Sequence, residues 1–479
     1  MNFIHLMLET LGNFLSFILI PLLIFAGIYF TFKTRFVQFR LFKDAIKSLL
    51  YRPKNLKKTG ASPFRSLMIS MASRIGVGQI AGIAFAIHIG GPGAIFWMWV
   101  MAIFGCTSAF IESTLAQIYK VRDAETGEFR GGPAYYINAA LHKRWLSTLF
   151  SLLLVGTYAY GFNMIQSFQL TSSFEYYIPG FKQSIYPVIV GVVLSIITAL
   201  VIFGGTHKVA FVSAYIVPVM SLAYITLAFI VSIKNFNKIP YIFKTILDDA
   251  FSVRAAFTAP FSLVYLSPLI HGIKRGLFSN EAGMGSAPNA AATADVPHPV
   301  MQGLAQLVSV FIDTMLICTS TALIVLLSGV DFKQKISQIL LVQNAVRSQV
   351  GEFGVHLVIF AVLTFAFTSI IGNYSYAETN VLFMKNDKKV LNIFRITCVI
   401  FVFLGTLVAS GVAWNLADIF MSLMAIVNII VIIRIGNVAI LALRDYIKQK
   451  KSNKKEFPVF LAKNAGIFGN NCWDDNKAN

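Results

Sequence analysis

The sequence predicts an all-α polytopic membrane protein. Three observations carry that reading: the composition, the recurrence of apolar windows along the chain, and the placement of the basic residues. Of 479 residues, 56% are hydrophobic and 13% charged, and the mean hydropathy is +0.70. A water-soluble fold of this size could not hide so much apolar surface. Soluble enzymes, disordered chains and nucleic-acid binders are excluded on this ground, so the net charge of +19 is read by location. Cys106, Cys318, Cys398 and Cys472 are too scattered for a metal site or a disulfide framework.

A helix needs roughly 20 apolar residues to cross about 30 Å of hydrocarbon, and the chain offers eleven such windows. The spans are read as Phe14 to Phe32, Pro63 to His88, Gly93 to Ile118, Leu146 to Leu170, Ile185 to Phe203 and Val209 to Ile233. Ala255 to Ile273, Val300 to Ser328, Phe353 to Val381, Leu391 to Ser410 and Leu416 to Leu443 complete the set. The first basic residue is Lys33; with no positive n-region before it, the first span is read as retained and not as a cleaved signal.

Cytoplasmic loops hold the excess of Lys and Arg. With the N-terminus outside and the C-terminus inside, 30 of the 40 basic residues fall on inside segments and 8 on outside loops, leaving Arg74 and Arg434 within the membrane. The domains expected are an extra N-terminal helix over 1–33, a basic amphipathic linker over 34–62, core halves over 63–233 and 234–443, and a basic cytoplasmic tail over 444–479. In the linker, Phe39, Phe42, Ile46, Leu49 and Leu50 share one helical face and Arg40, Lys43 and Lys47 lie elsewhere, the pattern of an interfacial helix resting on lipid. The tail is read as a polar segment able to touch anionic lipid.

Irregular backbone at membrane depth is tolerated only where protein, water or a ligand covers it. The second span carries Arg74-Ile75-Gly76-Val77-Gly78-Gln79 near its middle. Unwinding there would expose carbonyls to a cation and a half-helix N-terminus to a carboxylate; close helix packing through small residues fits the same pattern. The seventh span carries Pro260 and Pro268, each of which breaks the ladder above it. Five spans separate the two breaks, as in a five-plus-five inverted repeat.

Several motifs are also familiar as a set. GGPGAIFWMWV from Gly90, GGPAYYI from Gly131, KRGLFSNEAGMGSAPNAAATADVPHPVMQG from Lys274, FIDTMLICTSTALIVLLSG from Phe311, FAFTSIIGNYSYAE from Phe365 and WNLADIFMSLMAIVN from Trp414 resemble the alanine or glycine:cation symporter family. The resemblance implies a leucine-transporter-like core of ten helices preceded by one more, in a bacterial inner membrane. It implies Na+ symport of a small neutral amino acid, with no enzyme chemistry and no obligate protein partner. The substrate would meet Gly76, Val77, Gly78 and Gln79. Sodium would use carbonyls near Ala72, Ile75 and Phe365 and the hydroxyls of Thr368 and Ser369, hard oxygens that suit an alkali cation. Those hydroxyls fit equally a bond back to their own helix. Gln166 sits where the family places a Gln that would meet the substrate, and an ordinary helix-to-helix bond is its other reading.

Two departures bear on the substrate. The family's unwound motif commonly reads Gly-Thr-Gly-Asn, where this chain has Gly76-Val77-Gly78-Gln79, and its second break is usually glycine-rich where Thr258-Ala259-Pro260-Phe261-Ser262 stands here. Altered specificity is the alternative these raise.

Ionisable residues within spans are costly and need a reason. Asp313, Glu112, Arg74 and Arg434 lie inside, and Arg275 and Glu281 are read at the inside end of the seventh span as a gate or cap. Coupling duty and paired structural charges are both open for them, and a protonatable Asp313 or Glu112 fits proton coupling. His88 and His271 are read as ordinary residues near span ends. A multipass enzyme would show a motif such as HExxH at one face, and a channel a repeated pore loop; neither is present.

Overall fold

The structure, a computed structural model, describes residues 2–52, 61–123, 127–178, 180–204, 206–251, 267–332, 336–408, 410–452, 457–463, 466 and 472–473. It is a helical bundle. Among the described residues, seven continuous helices are long and apolar enough to cross a membrane, and an eighth span is a bent pair. The sequence placed several with little error: Gly93–Ile118 is one helix with the expected ends, and Asn2–Lys33 and Glu352–Met384 contain their predicted windows. The predicted eighth span is a helix, Pro299–Phe311, running through a π-helical turn, Ile312–Cys318, into Thr319–Leu327. The fourth has the same construction, with the π turn at Gly156–Phe162.

Lipid does not squeeze apolar faces together, so membrane helices associate by close backbone approach and buried polar contacts. Gly303 on Pro299–Phe311 lies against the carbonyl of Phe110, and Gly405 against the backbone of Met164; a methyl at either would collide with main chain. Outward positions such as Phe17, Leu200, Phe229 and Ile196 are exposed, the apolar surface that a bilayer covers.

Three expectations need correction. The predicted eleventh span is two helices, Ser410–Ile435 and Asn437–Ser452, because the chain turns at Gly436, whose missing side chain leaves room for the Phe30 ring. Arg434 is exposed in the last turn of the first of these, so it is not a deep cation. The predicted seventh span is a helix over Ser267–Asn280 in its described part, which buries Arg275 within the helix and Glu281 in the turn just after it, both in the protein interior. Pro260 and its neighbours lie outside the described residues.

The linker and the tail both pack more closely than polar connections would. Phe42–Leu49 lies beside Pro299–Phe311 with Ala45 and Ser48 buried, and Phe39, Ile46 and Leu50 exposed. The predicted single apolar face is thus divided between protein and surroundings. In the tail, Phe460 donates its N–H to the Pro297 carbonyl over 2.9 Å and lies edge-on to the His298 ring. Trp473 donates Nε1–H to the Gln117 carbonyl over 2.9 Å.

Candidate functional site

The second span breaks where its glycines are. The helix Pro63–Arg74 ends at Ile75, a single 3-10 turn covers Val77–Gln79, and a new helix runs over Ala81–Gly90, bent by 61° from the first. Every residue from Ala72 to Ile83 is buried. Gly76 is required by close approach: an added Cβ would overlap the Ser369 hydroxyl and the Gln166 amide. At Gly78 it would fall on the Phe278 ring.

Unwinding leaves backbone groups without helical partners, and specific side chains take them. Gln166 Oε1 accepts the Val77 N–H over 3.0 Å. Thr321 Oγ1 donates to the Gln79 carbonyl over 2.8 Å, while Gln79 Oε1 has no partner among the described residues. Ser369 Oγ donates to the Ala72 carbonyl over 2.9 Å. The expected sodium ligands Ile75 and Phe365 are fully buried. Thr368 is buried too, but its hydroxyl donates to the Thr364 carbonyl of its own helix over 2.9 Å. Of the two predicted hydroxyls, the structure brings that of Ser369 to the break.

Charged groups lie on both sides of this break. Toward the Pro63 end, Arg74 is 2% exposed. Its Nη1 lies 3.4 Å from Asp313 Oδ2, its Nη2 donates to Gln306 Oε1 over 3.2 Å, and its Nε is 3.7 Å from Glu281 Oε2. It also bonds to Ser309 Oγ. Ser73 joins the same group, donating to Asn373 Oδ1 over 2.5 Å, and Asn373 donates onward to Asn163 Oδ1 over 2.9 Å. Helices far apart in sequence therefore converge on one half-helix end.

Toward the Gly90 end, Arg275 Nη2 donates to Asp418 Oδ2 over 2.6 Å, with Lys274 Nζ 3.6 Å from the same oxygen. The Arg275 guanidinium sits 4.5 Å from the Trp414 ring and 5.3 Å from that of Phe85, a desolvated cation over aromatic faces. Gly90 is close to His271 and Ser267, which fixes this pair on the opposite side of the break from Arg74. His88 Nδ1 lies 2.6 Å from the Phe332 carbonyl.

Glu112 has a separate task. Its carboxylate accepts the N–H groups of Gly283 over 3.3 Å and Gly285 over 3.1 Å, and Asn428 Nδ2–H over 2.8 Å. Glu281, Gly283 and Gly285 all have positive φ, so this carboxylate clamps the turn that ends Ser267–Asn280 and holds Glu281 against Arg74. The sequence identified Glu112, Glu281, Arg275 and Asp313 as individuals. It did not identify Gln306, Asn373, Asn163 or Phe278. Asp418 and Trp414, though inside the WNLADIF motif, were not singled out; a carboxylate in an apolar run was the available signal.

A buried break in a membrane helix, charge clusters on either side of it and a neighbouring carbonyl-hydroxyl contact define a membrane carrier and not an enzyme. The chain belongs to the sodium:alanine symporter family, whose model matches residues 1–461. It is a transporter with Na+ as its coupling ion. Among its relatives are the "Amino-acid carrier protein AlsT" of Bacillus subtilis, 42% identical over 477 residues and 99% of each chain, and the "Probable sodium/glutamine symporter GlnT" of the same organism. The latter is 42% identical over 96% of this chain and 93% of its own. Among solved structures, MhsT in complex with L-phenylalanine superposes with a TM-score of 0.55 at 13% identity, over 81% of this chain and 96% of that one. At that identity the likeness is one of fold, the leucine-transporter type.

Proposed function

We propose that the protein couples inward movement of Na+ to uptake of a small neutral amino acid by alternating access about the Gly76–Gln79 break, with alanine or glycine as the substrate. The observation that carries this reading is the Val77 N–H held by Gln166 Oε1. A backbone donor at a half-helix N-terminus is where a carboxylate binds, and the oxygen of a neutral amide is a placeholder that a carboxylate can displace. Gly76, Val77, Gly78, Gln79 and Gln166 form the substrate site in this reading. Carbonyls of Ala72, Ile75 and Phe365 with the hydroxyls of Thr368 and Ser369 receive the Na+.

Glutamine is the second reading, favoured by the name of a 42% identical relative and by the Val77 and Gln79 departures. The architecture that goes with the proposal is eleven spans, with 63–233 and 234–443 as inverted halves. The basic-residue asymmetry supports an N-terminus outside and a C-terminus inside a bacterial inner membrane. Moving Lys274 and Arg275 from the inside segments into the bundle leaves that asymmetry standing.

Equilibrium dialysis of the purified protein against labelled alanine, glycine and glutamine, in sodium and in choline chloride, tests the reading. Saturable binding that needs sodium and is weakened by Ser369→Ala supports it. Binding indifferent to the cation contradicts it.

A further inference from the structure

Two cations and one carboxylate meet on the Gly90 side of the break. Arg275 Nη2 and Lys274 Nζ both address Asp418 Oδ2, at 2.6 and 3.6 Å, and the two cations are 3% and 7% exposed. Arg74, by contrast, has a carboxylate oxygen of Asp313 at 3.4 Å and one of Glu281 at 3.7 Å. The adjoining chain does not supply the missing negative charge: residues 252–266, which lie outside the described residues, include no Asp or Glu.

The same cluster holds N–H groups with nothing to receive them. Arg275 Nε and Nη1, Trp414 Nε1 and Asn415 Nδ2 are buried and have no hydrogen-bond partner among the described residues. Trp414 and Asn415 lie four and three residues before Asp418 on Ser410–Ile435, so one face of that helix carries all three. Gly82 fixes the depth. A Cβ there would stand 4.0 Å from Arg275 Cδ and 3.8 Å from Trp414 Cη2, which puts the cluster beside the first turn of the half-helix Ala81–Gly90, just past the break. A buried N–H without an acceptor and a buried charge without a counter-charge are both costly. Water accepts N–H groups but leaves the charge unpaired, and a metal ion adds to the surplus. A small anion answers both.

We propose that Lys274, Arg275, Trp414 and Asn415 form a binding site for a small monovalent anion, a halide or a carboxylate, just beyond the Gly76–Gln79 break. The N–H groups of Arg275, Trp414 and Asn415 donate to the anion, and its charge balances the surplus that Lys274 and Arg275 leave over Asp418. Two sources share this chemistry: chloride from the medium, and the carboxylate of an amino acid on its way to Val77. The second source also brings an ammonium, for which Asp418 Oδ1, buried and without a partner among the described residues, is the acceptor at hand. In the proposed topology the Gly90 end faces outward, so the site lies on the way in. Its existence is independent of the carrier reading, and only its place on the substrate's route rests on that reading.

The first test needs no transport. The full-length protein in detergent is unfolded by heat at fixed Na+ and ionic strength, in chloride, in acetate and in gluconate, an anion too bulky for a buried site. A ligand bound by the folded state alone raises the unfolding midpoint, here saturably and by about 2 °C. Chloride and acetate are expected to do so relative to gluconate, and Lys274→Gln and Trp414→Phe each to lose most of the rise. Equal midpoints in the three anions overturn the site, as does a rise that both variants keep. If Lys274→Gln does not fold, Trp414→Phe, which keeps an aromatic ring there, decides alone. Uptake of labelled alanine and glutamine by proteoliposomes under an inward Na+ gradient then separates the sources, with external chloride replaced by gluconate. A several-fold fall in initial rate assigns the site to chloride. A several-fold fall in the half-saturating substrate concentration, as a competitor is withdrawn, assigns it to the substrate carboxylate. Uptake unchanged in both respects overturns its place on the substrate's route. If neither amino acid accumulates, the carrier reading falls, and the unfolding midpoints still decide the anion site.

Discussion

The backbone N–H of Val77 and the side-chain oxygen of Gln166 are joined over 3.0 Å, tying the break in the second span to the helix Asn163–Ser172. If the substrate carboxylate replaces that oxygen, then a permanent carboxylate at the same place competes with it. A charge-assisted bond is roughly twice as strong as a neutral one. Gln166→Glu is expected to raise the half-saturation concentration for substrate about tenfold, equivalent to about 1.4 kcal/mol. The check is uptake against substrate concentration; an unchanged half-saturation would separate Val77 from the substrate.

Gly78 and Phe278 make a second pair that can be exchanged. A Cβ at Gly78 would fall on the Phe278 ring, and overpacking of this kind costs about 1 to 3 kcal/mol. Gly78→Ala is expected to lower the initial rate of uptake at least tenfold, and adding Phe278→Leu to restore part of it. Restoration shows that the ring, and not backbone conformation, is the obstacle.

Arg74 holds several groups at once. Removing one partner of a buried ionic cluster leaves the others uncompensated and costs about 3 to 5 kcal/mol. Arg74→Ala is expected to lower the thermal unfolding midpoint of the detergent-purified protein by several degrees. Arg74→Lys is not expected to rescue it, because an ammonium cannot reach Gln306, Ser309 and the two carboxylates in one planar array.

The docked tail should respond to pH. Burial holds His298 below its ordinary value of 6.5, against the opposing pull of Asp445, and burial pushes Lys120 down to about 8 against Asp295. Each group binds fewer protons folded than unfolded between its folded and ordinary values, so stability rises with pH across those windows. The tail contacts of Phe460 and Trp473 are therefore expected to weaken as pH falls through 6.5, and to tighten from about 8 toward the ordinary lysine value of 10.5. Limited proteolysis of the tail across this range measures it, and His298→Gln should flatten the acid limb alone.

Local rules made most of the helices legible, and long-range contacts made the site only partly so. Gly93–Ile118 follows from apolar length alone, and the break at Gly76 from two glycines at membrane depth. The Ser267–Asn280 helix runs past its apolar window because hydropathy falls at Lys274 and Arg275, while in the structure Asp418, Trp414 and Phe85 supply what lipid would not. Likewise nothing in sequence brings Glu281 and Asp313 to one arginine; the turn clamped by Glu112 does that. Thr368 and Ser369 are neighbours of equal chemistry, and only helix rotation separates the hydroxyl that reaches Ala72 from the one that does not.

The most direct test of the account is accumulation of labelled alanine, glycine and glutamine in proteoliposomes under an inward Na+ gradient. The account predicts uphill accumulation of at least one of them, abolished by dissipating the gradient and reduced about tenfold in Na+ affinity by Ser369→Ala. Folded protein that equilibrates these amino acids without concentrating any of them, or concentrates them without Na+, would contradict it.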